Sequence, residues 1–254
     1  TVYFENINFI YYIEKINYEL VKFSRQFHEK KIFIHIPKAA GMTIRRSLKL
    51  AGRITTIDKK KLISSKYASS LNSYMKNIGD DPGYEHARYR DISEDVRKSH
   101  RAFAVIRNPW DRVVSRYYFA KQVIEIEKKY DKNKHDIDSF EHFLEERHKW
   151  GNKEYMWHRA IRGWYPCSDY VIDEEGNIAA DILRFESLNN DLCKYFNIDS
   201  MSKSRNVTSA RKNEKVDIYN SKTIQIVADW YKKDIELFGY DYKTGPTRNC
   251  LYDE

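Results

Sequence analysis

Phe33-Ile34-His35-Ile36-Pro37-Lys38-Ala39-Ala40-Gly41-Met42-Thr43 is the stretch that decides the fold of this chain. An apolar run from Ile32 to Ile36 stops at Pro37, and a small-residue turn carrying one lysine follows. A helix through Ile44, Leu48 and Leu50 is expected next. A strand, a tight turn and a helix start bring backbone N–H groups and the helix dipole together on an anion, so the segment predicts a phosphate site. It is not a Walker A loop, G-x-x-x-x-G-K-[ST], because Lys38 precedes Gly41 instead of following the last glycine. A phosphate chemistry other than ATP or GTP hydrolysis is expected.

A second segment narrows the choice. Arg101-Ala102-Phe103-Ala104-Val105-Ile106 reads as a short buried strand ended by Arg107-Asn108-Pro109. Asn108 suits an N-cap and Pro109 the first helical position, so a helix carrying Val113, Val114, Tyr117 and Tyr118 should follow. Arg107 is then left at a strand end and Ser115 about two turns into the helix. An arginine and a hydroxyl so placed can hold a second phosphate. Two such junctions predict a ligand with phosphates at both ends.

These segments resemble those of the carbohydrate sulfotransferases of the heparan 2-O and chondroitin type and their bacterial relatives. His35 to Thr43 looks like the loop that grips the 5′-phosphosulfate of PAPS (3′-phosphoadenosine 5′-phosphosulfate), and Phe103 to Ser115 like the 3′-phosphate site. Asp181-Ile182-Leu183-Arg184-Phe185-Glu186-Ser187-Leu188 resembles the family's DxxxRFExL strand. Asn206 to Lys212, and then Trp230 to Tyr240, resemble its C-terminal cofactor loop and closing helix. Ala39-Ala40 and Met42 depart from the small and threonine residues frequent there, while Thr43 keeps the hydroxyl. The resemblance implies a PAPS-dependent O-sulfotransferase with an α/β, P-loop-like three-layer fold, a central parallel sheet flanked by helices.

In that reading Lys38 assists departure of the 5′-phosphate, with Ala39, Ala40, Gly41, Met42 and Thr43 around it. Arg107 and Ser115 fix the 3′-phosphate, and Arg211 with Lys212 completes the cofactor site, PAP being the product. Sulfuryl transfer resembles phosphoryl transfer in relying on positioning and charge stabilisation. The sulfuryl group carries less charge than a phosphoryl group, so no metal is expected. The acceptor hydroxyl needs a base. Of the eight histidines, His86 stands between the two phosphate segments and resembles the family's base position, with His100 the second choice and His35 a packed residue. Arg88 and Arg90 are candidates for contacting an acidic acceptor. Trp150, Trp157 and Trp164 are read as core, with stacking on sugar rings as the alternative, and Arg112 and Arg116 as surface or salt-bridge residues.

The 254 residues suit one α/β domain. Residues 31–254 are expected to form it, with 1–30 supplying an amphipathic helix, Glu5 to Phe27, packed upon it. Apolar content of 41% excludes general disorder, and a net charge of +8 favours anionic partners, an acidic saccharide among them. Zinc-finger and RNP-like motifs are missing, which argues against nucleic acid. Three scattered cysteines, Cys167, Cys193 and Cys250, make no disulfide framework. No long apolar run or cleavable signal occurs, so a cytoplasmic location is expected, or the Golgi lumen if an anchor has been trimmed ahead of Thr1.

Along the rest of the chain, residues 58–81 predict a short helix in a polar loop, closed by a turn at Gly79 to Gly83. Phe140, Phe143 and Leu144 mark a helix opened by Asp138 or Ser139, with Glu141, His142, Glu145 and Glu146 on its exposed face. Val171-Ile172 and Ile178 read as a hairpin, and one long last helix carries Ile224, Val227, Tyr231 and Phe238. The competing functions are a noncatalytic basic module for acidic glycans and a nucleotide-kinase-like P-loop transferase.

Overall fold

Short apolar runs pair into the central sheet. In a computed structural model of the chain, residues 15–21, 30–126, 135–156, 159, 161–201 and 218–243 are described. Strands β1 (Lys31–Ile34), β2 (Ile54–Thr56), β3 (Ala102–Ile106) and β4 (Asp181–Arg184) form one parallel sheet in the order β2-β1-β3-β4. Alternation sends Phe33, Phe103, Val105 and Leu183 to one face, where they meet Ile44, Leu50, Leu192 and Phe196. Ile32, Ile34, Ala104, Ile106 and Ile182 point to the other, larger apolar layer. A sheet covered on both faces is the three-layer α/β arrangement expected, and it explains why every residue of β3 is buried.

Among the described residues, the helices after β1 are α1 (Gly41–Arg45), α2 (Ser65–Asn77), α3 (Glu94–Ser99), α4 (Pro109–Lys121), α5 (Phe140–Trp150), α6 (Cys167–Val171), α7 (Leu188–Phe196), α8 (Ser221–Trp230) and α9 (Lys232–Phe238). β1 leads outward to β2 on one side, and β3 leads to β4 on the other. The strand order therefore reverses between β1 and β3. A crevice at such a switch point, beyond the carboxyl ends of the strands, is where open α/β sheets bind ligands.

Several elements differ from expectation. The helix after the lysine turn ends at Arg45 instead of running through Leu50. The N–H groups of Leu50 and Ala51 bond to the Ser47 carbonyl, turning the chain back toward β2 and burying both residues. α2 is longer than its polar composition suggested: Ser64 caps it, and Tyr67, Ala68, Leu71 and Met75 form a buried stripe. Glu146 is not on an exposed face; it is buried and accepts the Asp136 N–H at 2.9 Å. The hairpin reduces to one antiparallel bridge, Ile172 to Ile178, because Val171 belongs to α6.

The last helix is broken at Tyr231 (φ −106°) into α8 and α9. Beyond the break Asp234 is buried and accepts the N–H groups of Cys167 and Ser168 at 2.6 and 2.8 Å, capping α6. Of the expected N-terminal helix, residues 15–21 are helical with Ile16 and Leu20 exposed, and the remainder lies outside the described residues. Among the described residues, no helix is long and apolar enough to cross a membrane.

Candidate active site

Small residues let the chain turn sharply after β1. Lys38 (φ 65°) and Ala40 (φ 62°) both adopt left-handed backbone, a strained state for residues carrying a Cβ. Two arginines hold the turn from below. Arg112 donates from Nε to the Pro37 carbonyl at 3.1 Å and from Nη1 to the Tyr165 carbonyl at 2.8 Å. Arg107 donates from Nη1 to the Lys38 carbonyl at 3.1 Å. The first bond inside α1 runs from Ile44 N–H to the Ala40 carbonyl, so the N–H groups of Gly41, Met42 and Thr43 stand ahead of the helical ladder.

Arg107 stands just beyond the end of β3, as expected, beside the switch point. Its guanidinium lies 4.1 Å from the Phe185 ring centroid. Asn108 caps α4 by accepting from Trp110 N–H, and its own N–H is held by Glu186 Oε1 at 2.7 Å. Glu186 also accepts from the Tyr240 hydroxyl at 3.5 Å, so the DxxxRFExL segment braces the arginine junction. Ser115 follows on α4 and is buried. The Lys38 ammonium lies 4.3 Å from the Phe119 ring centroid, one turn beyond Ser115.

Arg112 and Arg116 are not surface residues: both are almost wholly buried. Arg116 donates to the Ile161 carbonyl at 2.5 Å and stacks 4.2 Å from the Trp164 ring. They hold the interior together because backbone carbonyls, rather than solvent, receive their N–H groups.

His86 closes the short turn Tyr84–His86 and is partly buried. Its Nδ1 donates to the His35 carbonyl at 2.7 Å, and the two rings lie 4.2 Å apart at 53°. A proton on Nδ1 leaves Nε2 with the lone pair, which is the tautomer a base requires. The His35 ring is buried between Phe33, His86 and Gly41. A Cβ at Gly41 would fall 1.6 Å from His35 Nε2, so only glycine fits there. The histidine assigned as base and the lysine turn are therefore joined through His35.

The model of the sulfotransferase family matches residues 22–241, most of the chain. The chain belongs to the sulfotransferase family. Searches among curated proteins and among solved structures returned no match. As a sulfotransferase it is an enzyme that transfers a sulfuryl group to an acceptor, and the parallel sheet flanked by helices is consistent with that fold.

Burial favours the neutral form of both histidines of the sulfotransferase. His35 is held well below its usual range by desolvation, with His86 and Arg45 adding to the effect. His86 is also lowered, chiefly by burial; the His35 carbonyl and Glu85 oppose the shift, and Arg45 and Arg159 reinforce it. His100 sits at the opposite end of β3 from Arg107, and its Nδ1 lies 2.9 Å from the Ser99 hydroxyl. Burial pushes the Cys167 thiol up to about 12, which leaves it inert.

Arg88 and Arg90 are engaged elsewhere. Arg88 makes a two-point pair with Asp91 at 2.7 and 3.1 Å, and Arg90 donates to Asp169 Oδ1 at 2.7 Å. The Arg90 pair ties the segment that carries His86 to α6. Trp164 is core and Trp150 is half-buried, while Trp157, Arg211 and Lys212 lie outside the described residues. Sequence reasoning missed the carbonyl grips of Arg107 and Arg112 and the rings under Lys38 and Arg107. Only the helical spacing of 112, 115 and 119 hinted at a common face.

Proposed function

We propose that this sulfotransferase uses PAPS as donor and a carbohydrate hydroxyl as acceptor, acidic saccharides fitting its surplus positive charge. The observation that carries the reading is the convergence of the Lys38 turn and Arg107 at the β1/β3 switch point, tied by the bond from Arg107 to the Lys38 carbonyl. The residues present fit the donor: N–H groups ahead of the α1 ladder and an ammonium for a 5′-phosphosulfate, a guanidinium and a buried hydroxyl for a 3′-phosphate. PAPS when bound supplies the activated sulfuryl group.

Lys38 stabilises the charge that grows on the phosphate side as the bond breaks. Arg107 and Ser115 select a donor bearing a 3′-phosphate. His86 Nε2 takes the acceptor's proton, its ring fixed by the bond from Nδ1 to the His35 carbonyl. Arg88 and Arg90 serve the acceptor side indirectly, by holding the His86 segment. The resemblance adds Arg211 and Lys212 to the donor site.

A transfer assay with PAPS over a panel of oligosaccharides, run on the parent and on His86→Ala, tests this. The variant should lose about 10²–10⁴-fold in kcat and keep its affinity for PAP. The base must be neutral, so kcat/KM of the parent should fall as pH drops, with a midpoint below the ordinary histidine value of 6.5. Equal loss of turnover and PAP affinity would make His86 a structural residue instead.

A further inference from the structure

Lys38 and Phe119 are far apart in sequence, and α4 brings them together. Arg112, Ser115 and Phe119 stand at i, i+3 and i+7, one stripe along the helix. Arg112 in that stripe grips the backbone of the lysine turn at Pro37. Phe119, two turns on, lies against the tip of the Lys38 side chain, with the ammonium 4.3 Å from its ring centroid. One helix face thus fixes both the root and the charged end of the residue.

We propose that Phe119 is a positioning residue whose ring face seats the Lys38 ammonium in line for the donor. The proposal rests on the assignment of Lys38 to the donor site. A lysine stem has many rotamers, and one held in place beforehand loses less freedom when an anion arrives. An aromatic face attracts a cation through its quadrupole and leaves the charge intact. Arg107 is treated the same way, resting 4.1 Å from the Phe185 ring centroid.

Fluorine withdraws electron density from a ring face with little change of shape. Mono-, di- and trifluorophenylalanine at position 119 therefore read the ring's electrostatics apart from its packing. Two readouts apply to the full chain: acylation of Lys38 by acetic anhydride, followed by mass spectrometry against the other lysines, and PAP affinity by calorimetry. Acylation should speed up, and PAP affinity fall, stepwise by about two- to fivefold across the series, with the melting temperature unchanged. Phe119→Leu should match the trifluoro form, and Phe119→Trp should restore both readouts. An acylation rate that stays flat along the series would overturn the seat, and one that responds while PAP affinity stays flat would overturn the positioning role. Failure of the parent to bind PAP would remove the donor reading, yet the acylation series would still decide whether the ring holds the ammonium.

Discussion

Lys38→Ala should lower kcat for sulfuryl transfer by about 10²–10³-fold while leaving the melting temperature nearly unchanged. On the proposed donor assignment, removing the ammonium takes a cation away from the developing phosphate charge, which exists mainly in the transition state. The backbone at this position has φ 65°, and alanine bears that strain about as lysine does, so the turn itself should persist. The Arg107 and Arg112 bonds to the turn go to backbone carbonyls and survive the substitution. Steady-state kinetics with thermal unfolding would check it. Parental turnover in the variant would remove Lys38 from the mechanism.

Gly41→Ala should damage both stability and turnover, by about 1–3 kcal/mol and about 10²-fold in kcat. The added methyl carbon would sit 1.6 Å from His35 Nε2 and 2.0 Å from Cδ2, so the ring or the start of α1 must move. The ring has little room, since it stacks 5.6 Å from Phe33 and lies 4.2 Å from His86. Either movement disturbs the lysine turn or His86. A second change, His35→Ala, would open the space, and the double variant should recover part of the stability lost by Gly41→Ala alone. A single variant as stable and active as the parent would show that the His35 ring is free to leave, and the link from turn to base would be lost.

β1 and β3 were legible because they are continuous apolar runs ended by Pro37 and by Arg107-Asn108-Pro109, punctuation that acts locally, whereas β4 was read only through the family resemblance and β2, the half-buried Ile54–Thr56, was not read. α2 was underestimated since Lys, Ser and Asn fill its outer face and hide the stripe of Tyr67, Leu71 and Met75. The break at Tyr231 was invisible, because it answers to Asp234 capping a helix more than sixty residues earlier in the chain. The site shows the same division. The places of Lys38, Gly41, Arg107 and Ser115 at two strand-to-helix junctions could be read from local spacing. Arg112 could not, since a charged residue in an amphipathic helix ordinarily faces water, and only the fold turns it inward toward Pro37 and Tyr165. The pairing of Arg90 was hidden for the converse reason: its partner Asp169 is remote in sequence.

Donor recognition by two clamps at the switch point is tested most directly by titrating the parent with PAP and with adenosine 5′-monophosphate in a calorimeter. PAP should bind about 10–100-fold more tightly, because only PAP offers a 3′-phosphate to Arg107 and Ser115, and Arg107→Ala should close most of that gap. Equal affinity for the two nucleotides, or no binding of PAP at all, would contradict it.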